Sequence, residues 1–169
     1  MDEARLHRVT EDDWSLLRAT RLEMLTDTPK AYLETVPDAL ARTEDEWRFR
    51  ARRGAAGPTN FAVAATAPHD PSRWVGYMAC FVDVPGTAIL VSVYVAPEQR
   101  GAGLAVRMVD SCRDWARHEA GAHAMTLLVH EHNDRARAFY RRYGFVETGQ
   151  TMPYQLAPGE QEIEMRLPL

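Results

Sequence analysis

The chain has 169 residues, a formal net charge of −4 and an apolar fraction of 46%, values typical of a soluble globular protein with one substantial core. Its acidic balance provides no basic face for nucleic acid, and no apolar run is long enough to cross a membrane. The charged N-terminus lacks the apolar core of a signal peptide. We therefore expect one domain over residues 1–169, located in the cytoplasm, with Cys80 and Cys112 as reduced core thiols.

The first third of the chain predicts mainly helices. It contains a strand, a helix, a segment without a clear pattern and a second helix, over residues 6–9, 10–26, 30–42 and 43–53. Thr10 and Thr43 are the predicted N-caps, since each precedes a run of acidic residues. Pro37 interrupts the apolar pattern of the unassigned segment, which therefore stays without a prediction.

The remainder predicts a sheet with two further helices. Its elements are strands at 61–65, 74–82 and 88–95, a helix at 104–119, a strand at 125–129, a helix at 134–143, and a closing hairpin of 145–148 with 163–167. Three successive strands with short connections indicate an antiparallel meander, and the strand–helix–strand passage from Ala88 to Val129 indicates a parallel pair. The predicted fold class is α+β, a three-layer sandwich: a mixed, mostly antiparallel sheet with helices on both faces.

The turn after the third strand of the meander has the features of an anion site. A helix beginning at Leu104 after a glycine-rich turn offers free backbone N–H groups to a ligand. The turn is not a P-loop, because no Lys-Ser/Thr pair follows the glycines. It is a poor dinucleotide fingerprint, because Val106 stands where the third glycine should be. It does fit the pattern R-x-x-G-x-A as Arg100, Gly103 and Ala105.

A second motif follows at Asn133–Phe145, which matches N-x-x-A-x-x-F-Y-x-x-x-G-F at each defined position. In order and spacing, the two motifs resemble the acetyl-CoA segments of the GNAT family of N-acetyltransferases, and they cover about the last half of the chain. The resemblance implies the acyl-CoA N-acyltransferase fold, in which strands ending near Val95 and Val129 splay into a V-shaped slot. It also implies acetyl-CoA as co-substrate and no metal.

The resemblance further implies which residues bind the coenzyme. Backbone N–H groups in the glycine-rich turn would hold the pyrophosphate, and the strand backbone around Val93 would bond the pantetheine and the thioester oxygen. The arginines between Arg135 and Arg142 are either a solvated helix face or phosphate contacts. The implied binding residues are Val93, Tyr94, Val95, Arg100, Gly101, Ala102, Gly103, Leu104, Ala105, Asn133, Ala136 and Tyr140.

The catalytic residues are less well determined. Tyr140 occupies the position at which the family commonly carries a proton donor for the CoA thiolate, although a packing tyrosine is the alternative. Many members carry a glutamate on the fourth strand as general base, but residues 88–94 contain no acid. Glu34 is our first choice for that base. The other candidates are Asp83, His130 and Glu131, or a relay water held by Ser92 or Tyr94.

The sequence thus predicts an N-acetyltransferase that moves an acetyl group directly from the thioester to a primary amine of a small molecule, a protein N-terminus or a lysine. A different acyl-CoA donor remains an alternative, as does a non-catalytic acyl-CoA-binding sensor or interaction module. His130 and His132 lack a third ligand at a suggestive spacing, so we expect no metal site there. A homodimer through edge strands or the last hairpin is possible, and neither nucleic acid nor a membrane is an expected partner.

Overall fold

The computed structural model describes residues 3–169. Within them, one sheet has the strand order β1-β2-β3-β4-β5-β7-β6. Its strands are β1 (Arg5–Arg8), β2 (Asn60–Ala67), β3 (Asp70–Val84), β4 (Thr87–Val95), β5 (Ala124–His130), β6 (Val146–Pro153) and β7 (Gln161–Pro168). The α-helices are α1 (Trp14–Asp27), α2 (Val36–Ala41), α3 (Glu44–Arg53), α4 (Leu104–His118) and α5 (Asp134–Tyr143).

The sheet is antiparallel except between β4 and β5. These two parallel strands pair only over Thr87–Ile89 and Ala124–Thr126. Beyond Ile89 the ladder ends, so the two strands separate towards their C-terminal ends. The predicted fold class is confirmed, and so is the slot between the strands that end at Val95 and His130.

Helices cover both faces of the sheet. Gly76 of β3 faces α4, because a Cβ atom at Gly76 would lie 2.6 Å from Met108 Sδ. On the opposite face, Tyr77 lines a cavity together with Arg21 of α1 and Arg50 of α3. This alternation along β3 is the period-2 pattern of a strand buried on both sides. Among residues 3–169, no helix combines the length and the apolar character needed to span a bilayer.

The unassigned segment contains α2, which the sequence analysis missed. Thr35 caps this helix by accepting from the Asp38 N–H at 3.3 Å, and the Asp38 carboxylate accepts from the Thr35 N–H at 3.2 Å. Pro37 lies in the first helical turn, where its missing N–H has no helical partner to lose. The Thr35–Asp38 capping pair therefore indicated the helix more reliably than Pro37 indicated its absence.

Strand boundaries also differ from the predictions. The strand predicted at 74–82 begins earlier than expected, because β3 already starts at Asp70 after a two-residue turn at 68–69. β6 and β7 extend the closing hairpin well beyond 145–148 and 163–167. β6 is exposed along its whole length as an edge strand, so its residues show no burial pattern that a sequence could reveal.

Candidate active site

A cleft of about 790 Å³ opens where β4 and β5 separate. Its walls are the second half of β4, the end of β5, the N-terminal turn of α4 and one face of α5. The predicted coenzyme-binding residues that line it are Val93, Tyr94, Val95, Arg100, Gly101, Gly103, Ala105, Asn133, Ala136 and Tyr140. Ala102 and Leu104 belong to the same turn but do not line the cleft, and Leu104 packs into the core instead.

The N-terminal turn of α4 forms part of the cleft wall. Gly101 and Gly103 have φ angles of +82° and +81°, a left-handed conformation that glycine adopts without strain. No side chain caps the helix, and its first helical N–H bond runs from Arg107 to the Gly103 carbonyl at 3.2 Å. The N–H groups of the preceding turn are therefore available to phosphate oxygens, and the helix dipole adds to the attraction.

The Arg100 side chain contacts protein groups at one edge of the cleft. Its guanidinium donates to the Asp27 carboxylate at the end of α1 and to the Val95 carbonyl, the latter at 2.9 Å. These bonds fix the loop after β4 against α1, so Arg100 supports the glycine-rich turn. Arg135 and Arg142 also line the cleft and bring positive charge from α5.

At the centre of the cleft, β4 carries a bulge. Ser92 has a φ of +55°, and the register with β3 shifts between Tyr77 and Ala79. A positive φ is uncommon for a residue with a side chain and is often found at functional sites. Val93–Val95 line the cleft beyond the bulge, where the ladder with β5 has ended. Backbone groups on this side of β4 are therefore left for an extended ligand.

α5 places two predicted residues on the opposite wall. Tyr140 is buried, and burial together with the nearby Tyr32 raises the pKa of its hydroxyl well above the usual value. The phenol is therefore protonated at neutral pH, as a proton donor must be. Asn133 accepts from the Ala136 N–H at 3.2 Å and thereby caps α5.

A smaller cavity of about 200 Å³ shares part of its lining with the cleft at β4. Val91 and Ser92 line both spaces. The rest of its wall comes from α1, the end of α3, β2 and β3. Its charged lining residues are Arg21, Arg50 and Arg53, and no Asp or Glu of the described chain lines it.

Glu34 lies behind this cavity in a buried cluster with three guanidinium groups. Its carboxylate accepts from Arg21 Nε and Arg42 Nε, both at 2.7 Å, and from Arg50 Nη1 at 3.2 Å. Burial raises the pKa of Glu34, but the three guanidiniums outweigh it and lower the pKa from 4.5 to about 2. A carboxylate held this way is a weak proton acceptor. This geometry contradicts the base role predicted for Glu34 and makes it the residue that positions the arginines.

The other predicted bases are no better placed. Asp83 is exposed near the β3–β4 turn, and neither it nor Glu131 lines either cavity. His130 lines the cleft, but its Nε2 lies 2.7 Å from a Glu160 carboxylate oxygen and its Nδ1 accepts from the His132 N–H at 3.2 Å. With both nitrogens engaged, His130 has no free lone pair for an amine. Across residues 3–169, no group of three or more His, Cys, Asp and Glu is arranged to hold a metal ion.

The sequence analysis missed two contacts that hold β4 next to the smaller cavity. Arg21 donates to Ser92 Oγ at 3.3 Å, and the Tyr32 hydroxyl donates to the Val93 carbonyl at 2.9 Å. Both contacts join residues more than 60 positions apart in the chain, so no local motif signals them. The one indication of these contacts in the sequence was Arg21, which lies within the apolar pattern of a helix. An arginine buried at such a position needs an ion-pair partner buried with it.

Residues 21–145 match the model of the Acetyltransferase (GNAT) family. The chain belongs to this family of N-acetyltransferases. A GNAT acetyltransferase structure from Streptococcus pneumoniae superposes with a TM-score of 0.81 at 16% identity, covering 99% of this chain and 100% of that one. A GNAT N-acetyltransferase from Kribbella flavida gives 0.75 at 21% identity, covering 99% and 98%. At these identities the two structures show that this chain has the GNAT fold.

A curated relative is also similar to this GNAT chain over a shorter stretch. It is the 5-NmdU N-acetyltransferase of Pseudomonas phage PaMx11, 34% identical over 64 residues. The match spans 38% of this chain and 43% of that protein. GNAT membership implies an acyl-CoA donor and an acceptor, and the cleft and the adjoining cavity are two spaces that can receive them.

Proposed function

We propose that this protein transfers an acetyl group from acetyl-CoA directly to a primary amine. The cleft takes the coenzyme, with its pyrophosphate on the N–H groups between Gly101 and Ala105 and its pantetheine along Val93–Val95. The smaller cavity takes the acceptor. The relative from the Pseudomonas phage, named as an N-acetyltransferase, supports the same type of reaction here.

The observation that carries this proposal is that Val91 and Ser92 line both cavities. A thioester that follows the β4 backbone ends at this bulge, and an amine in the smaller cavity reaches the same point. Backbone N–H groups beside the bulge would stabilise the oxyanion that forms when the amine attacks the carbonyl carbon. Bringing the two reactants together there supplies much of the rate gain.

Two proton transfers complete the reaction. Tyr140, kept protonated by its burial, donates to the departing CoA thiolate. On the acceptor side, the cluster of guanidinium groups disfavours an ammonium ion, because like charges lower its pKa. The amine therefore binds in its neutral, nucleophilic form without a carboxylate base, and water in the open cavity takes the proton released after attack.

The chemistry of Cys80 favours direct transfer over a covalent acyl-enzyme. Cys80 lines the smaller cavity, and a cysteine thiolate is a nucleophile that could form a covalent acyl-enzyme. Burial beside Cys112 raises the pKa of the Cys80 thiol well above its usual value, so the reactive thiolate is absent at neutral pH. Incubation with acetyl-CoA alone should leave the intact mass of the protein unchanged.

The test is thermal unfolding with and without acetyl-CoA, followed on the same preparation by thiol release across a panel of amines. We expect the coenzyme to raise the melting temperature by mass action and at least one amine class to release CoA thiol. A melting shift with no thiol release on any amine would favour a non-catalytic coenzyme sensor. No shift at saturating coenzyme would contradict the assignment of the cleft.

A further inference from the structure

We propose that the acceptor carries an anionic group, a carboxylate or a phosphate, which binds to Arg53 and Arg50 in the smaller cavity. The inference rests on the proposed function and adds the chemical class of the amine. It starts from the charges around the cavity, because three of its lining residues are arginines and none of its described lining residues is acidic.

The guanidinium groups on this side of β4 outnumber the carboxylates that neutralise them. Arg21, Arg42 and Arg50 share the single carboxylate of Glu34. Arg42 has one further and longer contact, 3.9 Å to the exposed Glu46. Within residues 3–169, Arg53 has no ion-pair partner; its guanidinium lies 5.9 Å from the centre of the Phe49 ring. The cavity wall thus keeps an unmatched positive charge.

These arginines also differ in how free they are to bind a ligand. Arg21 is buried with its side chain only 10% exposed, and its bonds to Glu34 and Ser92 fix it in place. Arg50 is half-buried, and burial lowers the pKa of its guanidinium, with Glu34 opposing that effect. Arg53 is exposed at the end of α3. A ligand anion would therefore meet the fixed guanidinium of Arg21, the partly buried one of Arg50 and the exposed one of Arg53.

A guanidinium that lacks a carboxylate partner is well suited to a carboxylate or phosphate, because its planar fork can donate two parallel hydrogen bonds. The anion would also relieve the repulsion among the clustered arginines. One monoanion still leaves the cluster positive, since its four arginines have only two carboxylate partners, Glu34 and the more distant Glu46. The conditions that keep the acceptor nitrogen neutral are therefore preserved when the anion binds.

The experiment compares matched pairs of amines that differ only in the anionic group. Suitable pairs are β-alanine with ethylamine, 4-aminobutyrate with propylamine, and O-phosphoethanolamine with ethanolamine. We expect thiol release to show a kcat/KM at least tenfold higher for the anionic member of one pair, a difference of about 1.4 kcal/mol. The pair with the larger ratio distinguishes a carboxylate from a phosphate.

The variant Arg53→Gln tests the site, and Arg52→Gln is its control. Arg52 is the neighbouring exposed arginine of α3, contacts Glu11 at 3.7 Å and does not line the cavity. We expect Arg53→Gln to bring the anionic-to-neutral ratio close to one, mainly through KM, and Arg52→Gln to keep the wild-type ratio. Ratios near one in the wild type, or equal losses in both variants, would overturn the inference while leaving the proposed function intact.

A binding readout separates the two hypotheses if no amine is acetylated. Each amine pair is then titrated by thermal unfolding in the presence of acetyl-CoA. A shift from the anionic member that Arg53→Gln abolishes and Arg52→Gln retains would support the anion site even though the proposed activity had failed. Equal shifts from both members, or none from either, would contradict the anion site as well.

Discussion

The two cavities that meet at β4 are built in opposite ways. The larger cleft, proposed for the coenzyme, offers backbone groups from the first turn of α4 and from the part of β4 that is not paired with β5. The smaller cavity is lined by side chains from α1, α3 and three strands, β2, β3 and β4, and borders a buried charge cluster. A backbone site recognises what every donor shares, whereas a side-chain site can change from one protein to the next. If the proposed function holds, we expect acceptor specificity to reside in the arginine-lined cavity.

The largest expected effect comes from removing the centre of the arginine cluster. Glu34→Gln leaves the Arg21, Arg42 and Arg50 guanidiniums without their shared carboxylate. We expect the free energy of unfolding to fall by about 3 kcal/mol, the usual cost of breaking a buried ion pair. Urea denaturation measures this value. Glu44→Gln, which removes an exposed pair with Arg48, should cost less than ~1 kcal/mol.

The same carboxylate gives the cluster a pH signature. The pKa of Glu34 is about 2 in the folded protein against 4.5 ordinarily, so the folded state favours the ionised form. The stabilisation is complete above about pH 5 and is lost as the pH falls towards 2. In Glu34→Gln this part of the acid destabilisation should disappear. If wild type and variant lose stability in parallel between pH 5 and 3, the carboxylate is not held as described.

On the coenzyme side, the largest expected effect is on the chemical step. Tyr140→Phe removes the proposed donor to the thiolate but keeps the buried aromatic ring. We expect kcat to fall about 100-fold, at the lower end for loss of a general acid, with the coenzyme-induced melting shift retained. Tyr143→Phe is the control, since the Tyr143 hydroxyl also lines the cleft but is bonded to Asp110 at 2.6 Å. Unchanged kcat in Tyr140→Phe would assign Tyr140 to packing.

A smaller effect is expected from the backbone of the phosphate-binding turn. Gly103→Ala places a Cβ atom on a residue with φ +81°, although no atom lies within 4 Å of it. An alanine in this left-handed conformation costs about 1–2 kcal/mol, and relief of that strain would distort the turn and weaken coenzyme binding roughly tenfold. Gly159→Ala has the same strain at φ +86° in an open loop. It should lower stability by a similar amount without changing the KM for acetyl-CoA.

The contrast between the cavities also explains what the sequence could predict. Arg100, Gly103 and Ala105 lie within six residues of one another, and the local geometry that they require appears as a contiguous motif. The fold class followed from local strand and helix patterns, whereas the slot was implied only by the resemblance to the GNAT family. The acceptor cavity depends on Arg21, Glu34 and Arg50, which meet only after folding. Nothing local to Glu34 therefore indicated its ion pairs, since its three partners lie in α1, directly after α2 and in α3.

The Tyr32 side chain contacts both regions. Its replacement should have the smallest effect, and the two cavities should share that effect about equally. The Tyr32 hydroxyl donates to the Val93 carbonyl at 2.9 Å, and its ring packs under Arg21, whose guanidinium carbon lies 4.9 Å from the ring centre. Tyr32→Phe keeps the ring but removes the bond to the bulged strand. We expect the free energy of unfolding to fall by about 1 kcal/mol, the typical net value of one hydrogen bond.

The kinetic consequence of Tyr32→Phe distinguishes it from the changes confined to one cavity. Because the Val93 carbonyl follows the bulge that both cavities share at Ser92, kcat/KM should fall a few-fold for acetyl-CoA and for the amine alike. Tyr154→Phe, which removes only the 3.0 Å bond to the Tyr32 carbonyl, should leave both values nearly unchanged. A loss restricted to one substrate would mean that the two cavities are positioned independently, since a shared strand must transmit a shift of its backbone to both.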